Sequence, residues 1–278
     1  MKPSLRITVL VENRSARAGL VAEHGLSLWV EADGHHLLFD TGQSGAFLSN
    51  AAALRVPVTE ADALVLSHGH HDHTGGLSAL LPGCMPPRLY LHPSAVIPHY
   101  ACGGGGESRS IGMPPASAAA LGRMEERIVW TGSPTPIAEG VCVTGPIPRN
   151  TASEDVGGPF YLDPKCTRRD DLPDDQAVWL ETEEGIVVLL GCAHAGVVNT
   201  LDYIAALTRA SRFHAVVGGM HLLNANEERL RKTADALERY RVAIVAPCHC
   251  TGETAVCYLR DRFPENLVSL AAGAELEL

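Results

Sequence analysis

Short apolar runs separated by polar breaks divide the chain into strands and helices, and each half begins with strands and continues with helix–strand alternation. The first 40 residues predict strands at Ile7 to Val11, Leu26 to Glu31 and His36 to Asp40. Further strands are predicted at residues 63–67, 88–92, 177–182, 185–190, 215–218 and 242–246. Helices are predicted through residues 51–54 and at 198–210, 226–241 and 254–262. We therefore expect an α/β protein with two β-sheets packed together and helices outside, in a single domain spanning residues 1–278.

Two segments lack this periodicity. Residues 98–122 contain four consecutive glycines at 103–106 and two prolines at 114–115, which predicts a mobile loop or lid able to close over a substrate. Residues 145–175 are rich in Pro, Asp and Arg and predict a long surface loop. Arg109 and Arg149 lie in these segments and are candidate contacts for an anionic substrate.

Charge and composition narrow the class of protein. The 278 residues carry 22 Lys and Arg against 32 Asp and Glu, a net charge of −10, which argues against a nucleic-acid or anionic-membrane surface. No run approaches the roughly 20 apolar residues of a membrane span, and the first residues predict a strand rather than a signal peptide. We expect a cytoplasmic protein whose 8 cysteines are mostly buried free thiols.

A dense histidine cluster follows the apolar run at residues 63–66. Its sequence is SHGHHDHTGG over residues 67–76. Residues two apart in an extended segment point the same way, so we expect His68 and His70 to converge on one ion. Asp72 and His73 follow where the chain turns and can reach a second ion. Imidazole and carboxylate suit zinc, manganese or iron(II).

Three more histidines occupy comparable positions after predicted strands. His194 lies in GCAHAG at residues 191–196, His221 in GGMHL at 218–222, and His249 in PCHCTG at 247–252. Sheet-based sites form just beyond the carboxyl ends of strands. The simplest interpretation is therefore that these histidines converge with the first cluster on one site.

Together these segments resemble the metallo-β-lactamase superfamily. His68-x-His70-x-Asp72-His73 is similar to its H-x-H-x-D-H element, and LFDTG at residues 38–42 is similar to the aspartate-bearing element before it. The resemblance covers essentially the whole chain. It implies an αββα sandwich of two mixed β-sheets flanked by helices, with a metal site at one edge.

The last three motifs resemble one branch of that superfamily, typified by 7,8-dihydropterin-6-yl-methyl-4-(β-D-ribofuranosyl)aminobenzene 5′-phosphate synthase. The resemblance implies one or two divalent ions per chain, zinc first, bound by two groups of ligands: His68, His70 and His194 for the first ion, and Asp72, His73 and His249 for the second. Asp40 is expected to orient a ligand histidine or bound water. Asp72 and His221 are the candidate catalytic residues; for His221, substrate binding, proton donation and ligation all remain open.

The sequence departs from most hydrolases of the superfamily at one dipeptide. Where those enzymes have Gly-Asp, whose carboxylate bridges the two metals, this chain has Gly191-Cys192. Either the Cys192 thiolate contributes a ligand, or the bridge is missing and one metal binds weakly. The usual third-motif histidine is also absent near residues 145–149, so His194 is expected to act from a shifted position.

These features predict a metal-dependent enzyme acting on an anionic, phosphate-bearing small molecule, through a metal-bound hydroxide or a metal-clamped phosphate. The alternative within enzymes is a generic hydrolase of phosphodiester, thioester or lactone bonds. The alternative of another class is a non-catalytic metal-binding or redox module, in which Cys248, His249 and Cys250 provide a thiolate site. No nucleic-acid or membrane partner is expected.

Overall fold

The computed structural model describes residues 5–80, 87–103 and 107–278. It is a mixed α/β structure with seven-, six- and three-stranded sheets and flanking helices, which confirms the predicted class. Its contacts divide the chain into two compact units: Met1–Gly132 with Pro159–Asp174 and Ala271–Leu278, and Ser133–Gly158 with Asp175–Leu270. Among the described residues, no helix combines the length and apolar character needed to cross a membrane.

The first unit is built on a seven-stranded sheet with the order β16-β1-β2-β3-β4-β5-β8. These strands are β1 (Arg6–Val11), β2 (Ser27–Ala32), β3 (His35–Phe39), β4 (Ala63–Val65), β5 (Arg88–Leu91), β8 (Ile128–Trp130) and β16 (Glu275–Glu277). Pairing is antiparallel from β16 to β3 and parallel from β3 to β8. The helices are α1 (Ala46–Leu54), α2 (His71–Thr74) and α3 (Pro115–Gly122). Buried side chains of α1 and α3, among them Phe47 and Leu121, share one apolar core with the sheet.

A smaller sheet in the same unit has the order β11-β6-β7. It consists of β6 (Tyr100–Cys102), β7 (Ser108–Ser110) and the short β11 (Phe160–Tyr161). The segment predicted as a loop over residues 98–122 thus contains two strands and α3, while residues 104–106 of its glycine run lie outside the described residues. β6, before the glycines, pairs with β11 on one side and with β7, after the glycines, on the other. Movement of this segment as a lid stays a prediction.

The second unit contains a six-stranded sheet with the order β15-β14-β13-β12-β10-β9. Its strands are β9 (Thr135–Ala138), β10 (Val141–Val143), β12 (Ala177–Thr182), β13 (Gly185–Leu190), β14 (Phe213–Gly219) and β15 (Ile244–Cys248). Its helices are α4 (Val197–Thr208), α5 (Glu227–Arg239) and α6 (Glu253–Arg262). In α5, Leu230, Ala234 and Leu237 face the core as their spacing predicts, and Asn226 caps the helix by accepting a hydrogen bond from Arg229 N.

Strand direction brings the later motifs to one edge of this sheet. β13, β14 and β15 are parallel neighbours, so their carboxyl ends lie side by side. The residues after those ends include Cys192, His221 and His249. The second unit therefore gathers at one sheet edge three motifs that are far apart in sequence.

The cysteines differ in part from expectation. Cys102 at the end of β6 and Cys166 form a disulfide, with Cα atoms 6.5 Å apart, so the prediction of free thiols is wrong for this pair. Pairing of β6 with β11 brings the two segments together, which the sequence alone does not reveal. The other described cysteines are thiols, and Cys84 lies outside the described residues.

Candidate metal centre

The histidine cluster of the first unit lies on the turn after β4 and continues into α2. His68, His70 and His73 are buried with Asp72, and the ring centroid of His68 lies 4.6 Å from that of His70 and 4.3 Å from that of His73. The Oδ2 atom of Asp72 is 3.7 Å from His73 Nε2. The intervening His71 is only partly buried, and its Nδ1 lies 3.2 Å from the carbonyl oxygen of Ile111. Three imidazoles and one carboxylate therefore share a small volume.

Asp40 and Ser67 hold the far side of two of these rings. Asp40 Oδ2 lies 2.7 Å from His73 Nδ1, and Ser67 Oγ lies 2.9 Å from His68 Nδ1. Ser67 also donates its backbone N–H to Asp40 Oδ1 and its hydroxyl to Oδ2, each at 2.7 Å. With Nδ1 engaged in this way, each ring presents Nε2 to a ligand.

The protonation state of His70 suits ligation. Burial, followed by the charge of His68, lowers the pKa of His70 well below its usual range. A neutral imidazole is the form that binds a metal ion. His70 also packs against Phe160 in a tilted arrangement, with ring centroids 5.3 Å apart.

Sequence reasoning missed a group of buried polar side chains that lies next to His70. His99 packs edge-on to His70 with ring centroids 5.6 Å apart, and its Nδ1 lies 2.5 Å from Asp170 Oδ2. Burial acts to lower the pKa of His99, but the hydrogen bond with Asp170 and the charge of Asp174 raise it overall. Burial raises the pKa of Asp174, whose Oδ2 accepts a 2.7 Å hydrogen bond from Gly69 N. The sequence gives no sign that His99 belongs to this group, because its acidic partners lie more than 70 positions away.

Close backbone approach makes Gly69 part of this architecture. A Cβ built at Gly69 would lie 2.3 Å from the carbonyl oxygen of Ala95, a contact that no side chain can occupy. The glycine between the two histidines thus lets the turn pack directly on the neighbouring segment.

In the second unit, two hydrogen-bond contacts of His194 and one of its neighbour Ala195 hold the loop after β13. The Nδ1 atom of His194 lies 2.8 Å from Val156 O, its carbonyl accepts a 2.6 Å hydrogen bond from Arg149 Nη1, and the next residue, Ala195, donates its N–H to Asp175 Oδ2 at 2.7 Å. Arg149, predicted to bind an anion, is thus engaged in positioning this loop. Arg109 is exposed in β7.

His221 lies beside His194 and between two cysteines. The ring centroids of the two histidines are 4.3 Å apart, and ligand atoms of Cys192, His221 and Cys250 all lie within 4.8 Å of one another. Burial acts to lower the pKa of His221, but the charge of Cys250 and a hydrogen bond with it raise it. Burial acts to raise the pKa of Cys250, yet the hydrogen bond with Cys192 and the charges of His249 and His221 bring it well below its usual value.

Backbone strain marks the same loops. Ala193, His221 and His249 have φ values of 54°, 44° and 53°, and Asp40 in the first unit has 59°. Left-handed conformations of non-glycine residues cost about 1–3 kcal/mol each and persist where the surroundings fix them. All four lie at or beside candidate ligands.

The residues present fit divalent transition-metal ions. Each unit offers buried imidazole nitrogens, and the first adds a carboxylate, a donor set that zinc, manganese and iron(II) accept. Nδ1 atoms of His68, His73 and His194 are engaged by oxygen atoms, and His70 is held neutral. Such outer hydrogen bonds and neutral rings are typical of metal-ligating histidines.

Known proteins resemble the chain over most of its length. Residues 21–249 match the model of a family described as the metallo-beta-lactamase superfamily. Over 268 residues the chain is 26% identical to the 7,8-dihydropterin-6-methyl-4-(beta-D-ribofuranosyl)-aminobenzene-5′-phosphate synthase of Methanocaldococcus jannaschii, covering 91% of this chain and 89% of that protein.

Solved structures with a similar fold also cover nearly the whole chain. The crystal structure of Tm1679, described as a metal-dependent hydrolase of the beta-lactamase superfamily, is 31% identical with a TM-score of 0.81 and covers 99% of both chains. Zinc-bound PqqB from Methylobacterium extorquens has a TM-score of 0.58 at 15% identity, covering 98% of this chain and 100% of that one. At that identity the likeness concerns the fold alone.

Proposed function

Because the chain belongs to the metallo-β-lactamase superfamily and has the mixed-sheet fold of its members, we propose that it is a metal-dependent enzyme acting on a phosphate-bearing small molecule. The observation that carries this proposal is the buried turn at residues 68–73, where three imidazoles and a carboxylate lie together and oxygen atoms engage two of the rings from behind. The M. jannaschii relative, a synthase named for a 5′-phosphate compound, supports the substrate class.

The proposed ligands follow the order of the family's motifs. We assign six side chains to one or two divalent ions, with zinc first and manganese or iron(II) also suited: His68, His70 and His194 for one ion, and Asp72, His73 and His249 for the other. Asp40 orients His73 through its 2.7 Å contact with Nδ1. We propose Cys192, which is buried just after β13, as a candidate thiolate ligand.

When bound, the ions would neutralise phosphate oxygens and lower the pKa of a water molecule. The chain's own groups then position that chemistry. Asp72 Oδ2 lies 3.1 Å from Nε2 of His24, whose ring is more than half exposed, so His24 orients this carboxylate. Arg109, exposed on β7, remains the proposed contact for substrate phosphate, whereas Arg149 acts by holding the His194 carbonyl.

A generic hydrolase is the second candidate, since Tm1679 is described as a metal-dependent hydrolase and is 31% identical. The two candidates differ in substrate class, because a generic hydrolase would also act on thioesters or lactones that carry no phosphate. A screen that compares phosphate monoesters, phosphate diesters and phosphate-free thioesters separates them from each other. The non-catalytic metal module would bind metal and turn over none of these compounds.

The test combines elemental analysis with this screen on wild type, His68→Ala and His35→Ala. His35 is an exposed histidine at the start of β3 and serves as the matched control. We expect one or two metal equivalents in wild type and turnover of phosphoesters, both reduced in His68→Ala and unchanged in His35→Ala. Equal metal content in His68→Ala and wild type would refute the proposed centre. Turnover of the thioester alone would refute the phosphate class.

A further inference from the structure

Arg229, in the first turn of α5, is a buried cation whose side chain has a single hydrogen-bonded partner. Its Nη1 donates to Asp155 Oδ1 at 2.5 Å, and the side chain of Arg229 is 5% exposed against 78% for Asp155. Among the described residues, Nε and Nη2 of Arg229 have no hydrogen-bond acceptor. Burying a charge costs free energy that such a pair recovers only in part, so stability alone does not account for this arginine.

The partner, Asp155, belongs to a short segment that is tied to two helices. We call residues 154–157 the strap. Its first residue, Glu154, accepts two backbone N–H groups at the start of α4 through its carboxylate, each at 2.8 Å. Asp155 Oδ1 accepts both the Arg229 guanidinium and, at 2.8 Å, the N–H of Gly157. One carboxylate therefore fixes the strap to α4, and the next fixes it to α5 and sets its turn.

The other two residues of the strap contact the histidines of the second unit. The carbonyl oxygen of Val156 lies 2.8 Å from His194 Nδ1. A carbonyl oxygen only accepts hydrogen bonds, so His194 carries its proton on Nδ1 and presents Nε2 to a ligand. A Cβ built at Gly157 would lie 1.9 Å from Cδ2 of His221, so the glycine lets the strap pack directly on that ring.

We propose that Arg229 is a positioning residue for the candidate metal centre. Through Asp155 it fixes the strap, and the strap holds the His194 ring in the tautomer that presents Nε2 to an ion. The inference rests on the proposed function only in taking His194 as a ligand. It differs from the role of Arg149, which donates to the His194 carbonyl and leaves the ring to the strap.

A positioning role predicts that stability and ring orientation respond differently to one substitution. Arg229→Met replaces the cation by an apolar chain that fits the same buried space. Asp155 is exposed, so the carboxylate that loses its partner is hydrated and no unpaired charge is left buried. We therefore expect Arg229→Met to melt near the wild-type temperature while the His194 ring loses its fixed tautomer.

Long-range 1H–15N NMR spectra of the metal-free full chain test this, because they report which ring nitrogen of a histidine carries the proton. His194→Ala identifies the signals of His194. We expect the Nδ1–H form alone in wild type and a mixture of both tautomers in Arg229→Met and in Asp155→Ala. Competition with a chromophoric chelator should show zinc affinity reduced by roughly tenfold in both variants.

Three control variants separate the contact from its surroundings. Asp155→Asn keeps Oδ1 as an acceptor for both donors and should stay near wild type. Arg231→Met removes an exposed ion pair with Asp235 on the same helix and should change neither the tautomer nor zinc affinity. The double variant of Arg229→Met with Asp155→Ala should match Asp155→Ala alone, because both changes break one contact.

Retention of the Nδ1–H form in Asp155→Ala, or its equal loss in Arg231→Met, would overturn the proposal. A melting temperature that falls in Arg229→Met while Asp155→Ala keeps the wild-type tautomer would show a structural role only, and would also overturn it. Either result would leave the proposed function intact. Loss of the Nδ1–H form with unchanged zinc affinity would instead support the positioning of the ring and contradict the assignment of His194 to an ion.

Discussion

Replacement of Asp40 by asparagine tests whether hydrogen bonding behind the ligands sets metal affinity. Asp40 Oδ2 lies 2.7 Å from His73 Nδ1 and accepts the Ser67 hydroxyl, while Oδ1 accepts the Ser67 backbone N–H. An asparagine of the same shape supplies one oxygen and one NH2 group. The NH2 group must therefore face either the Ser67 N–H or the N–H of His73, both of which are donors.

The expected loss of zinc affinity in Asp40→Asn follows from the number and the burial of these contacts. Asp40, Ser67 and His73 are fully buried, so no solvent replaces the lost acceptor. Removal of the acceptor behind a ligating histidine typically weakens metal binding 10–100-fold, which corresponds to about 1.4–2.7 kcal/mol. Alanine would leave several buried donors without acceptors and destabilise the fold itself, which is why asparagine is the sharper substitution.

Competition with a chromophoric chelator measures zinc affinity in wild type, Asp40→Asn and Asp62→Asn. Asp62 is the matched control because it belongs to the same unit, is exposed, and accepts a 2.8 Å hydrogen bond from His36 N. We expect weaker binding only in Asp40→Asn, with melting curves that show both variants folded. Zinc affinity within about twofold of wild type in Asp40→Asn would refute the reasoning.

Three further changes follow from contacts in the first unit. The pKa of His99 is raised in the folded state, so protonated His99 stabilises the fold below the ordinary histidine pKa of about 6.5, and this stabilisation is lost as pH rises through the higher folded value. Thermal melts of metal-free protein across this pH range should show the loss of stability. Asp170→Asn should make the melting temperature less dependent on pH. Gly69→Ala should lower both stability and metal content, since its Cβ would lie 2.3 Å from a backbone oxygen, and wild-type values in melting and elemental analysis would contradict this. The Cys102–Cys166 disulfide spans 64 positions, and its removal by Cys102→Ser should cost about 4 kcal/mol in denaturant unfolding, with reductant changing wild type but not the variant.

The regular elements of the fold follow from sequence because apolar spacing specifies them locally. The strands at residues 177–182 and 185–190 have the predicted bounds, and α5 buries the predicted side chains. β9 and β16 were not predicted. β9 contains Pro136, which disfavours a central strand, and β16 has only three residues, so its pairing with β1 decides its conformation.

The candidate site also contains residues that local sequence patterns reveal and residues that only the fold brings together. Histidines after buried strands indicate the proposed ligands, because strand ends and ligand chemistry are both visible locally. The groups that hold those ligands are not visible, since His99 pairs with Asp170 across 71 positions and Gly69 with Asp174 across 105. A single carboxylate in an irregular segment carries no periodic signal that would indicate its partner.

Two consecutive aspartates show why these hidden contacts matter for the chemistry. Asp174 accepts the N–H of Gly69, which lies between two proposed ligands, and Asp175 accepts the N–H of Ala195, which follows another. Both carboxylates are almost fully buried, and burial raises the pKa of Asp174. A backbone hydrogen bond acts on the conformation of the turn rather than on the ion. These two contacts therefore restrain the histidine-bearing turns through the backbone, independently of any bound ion.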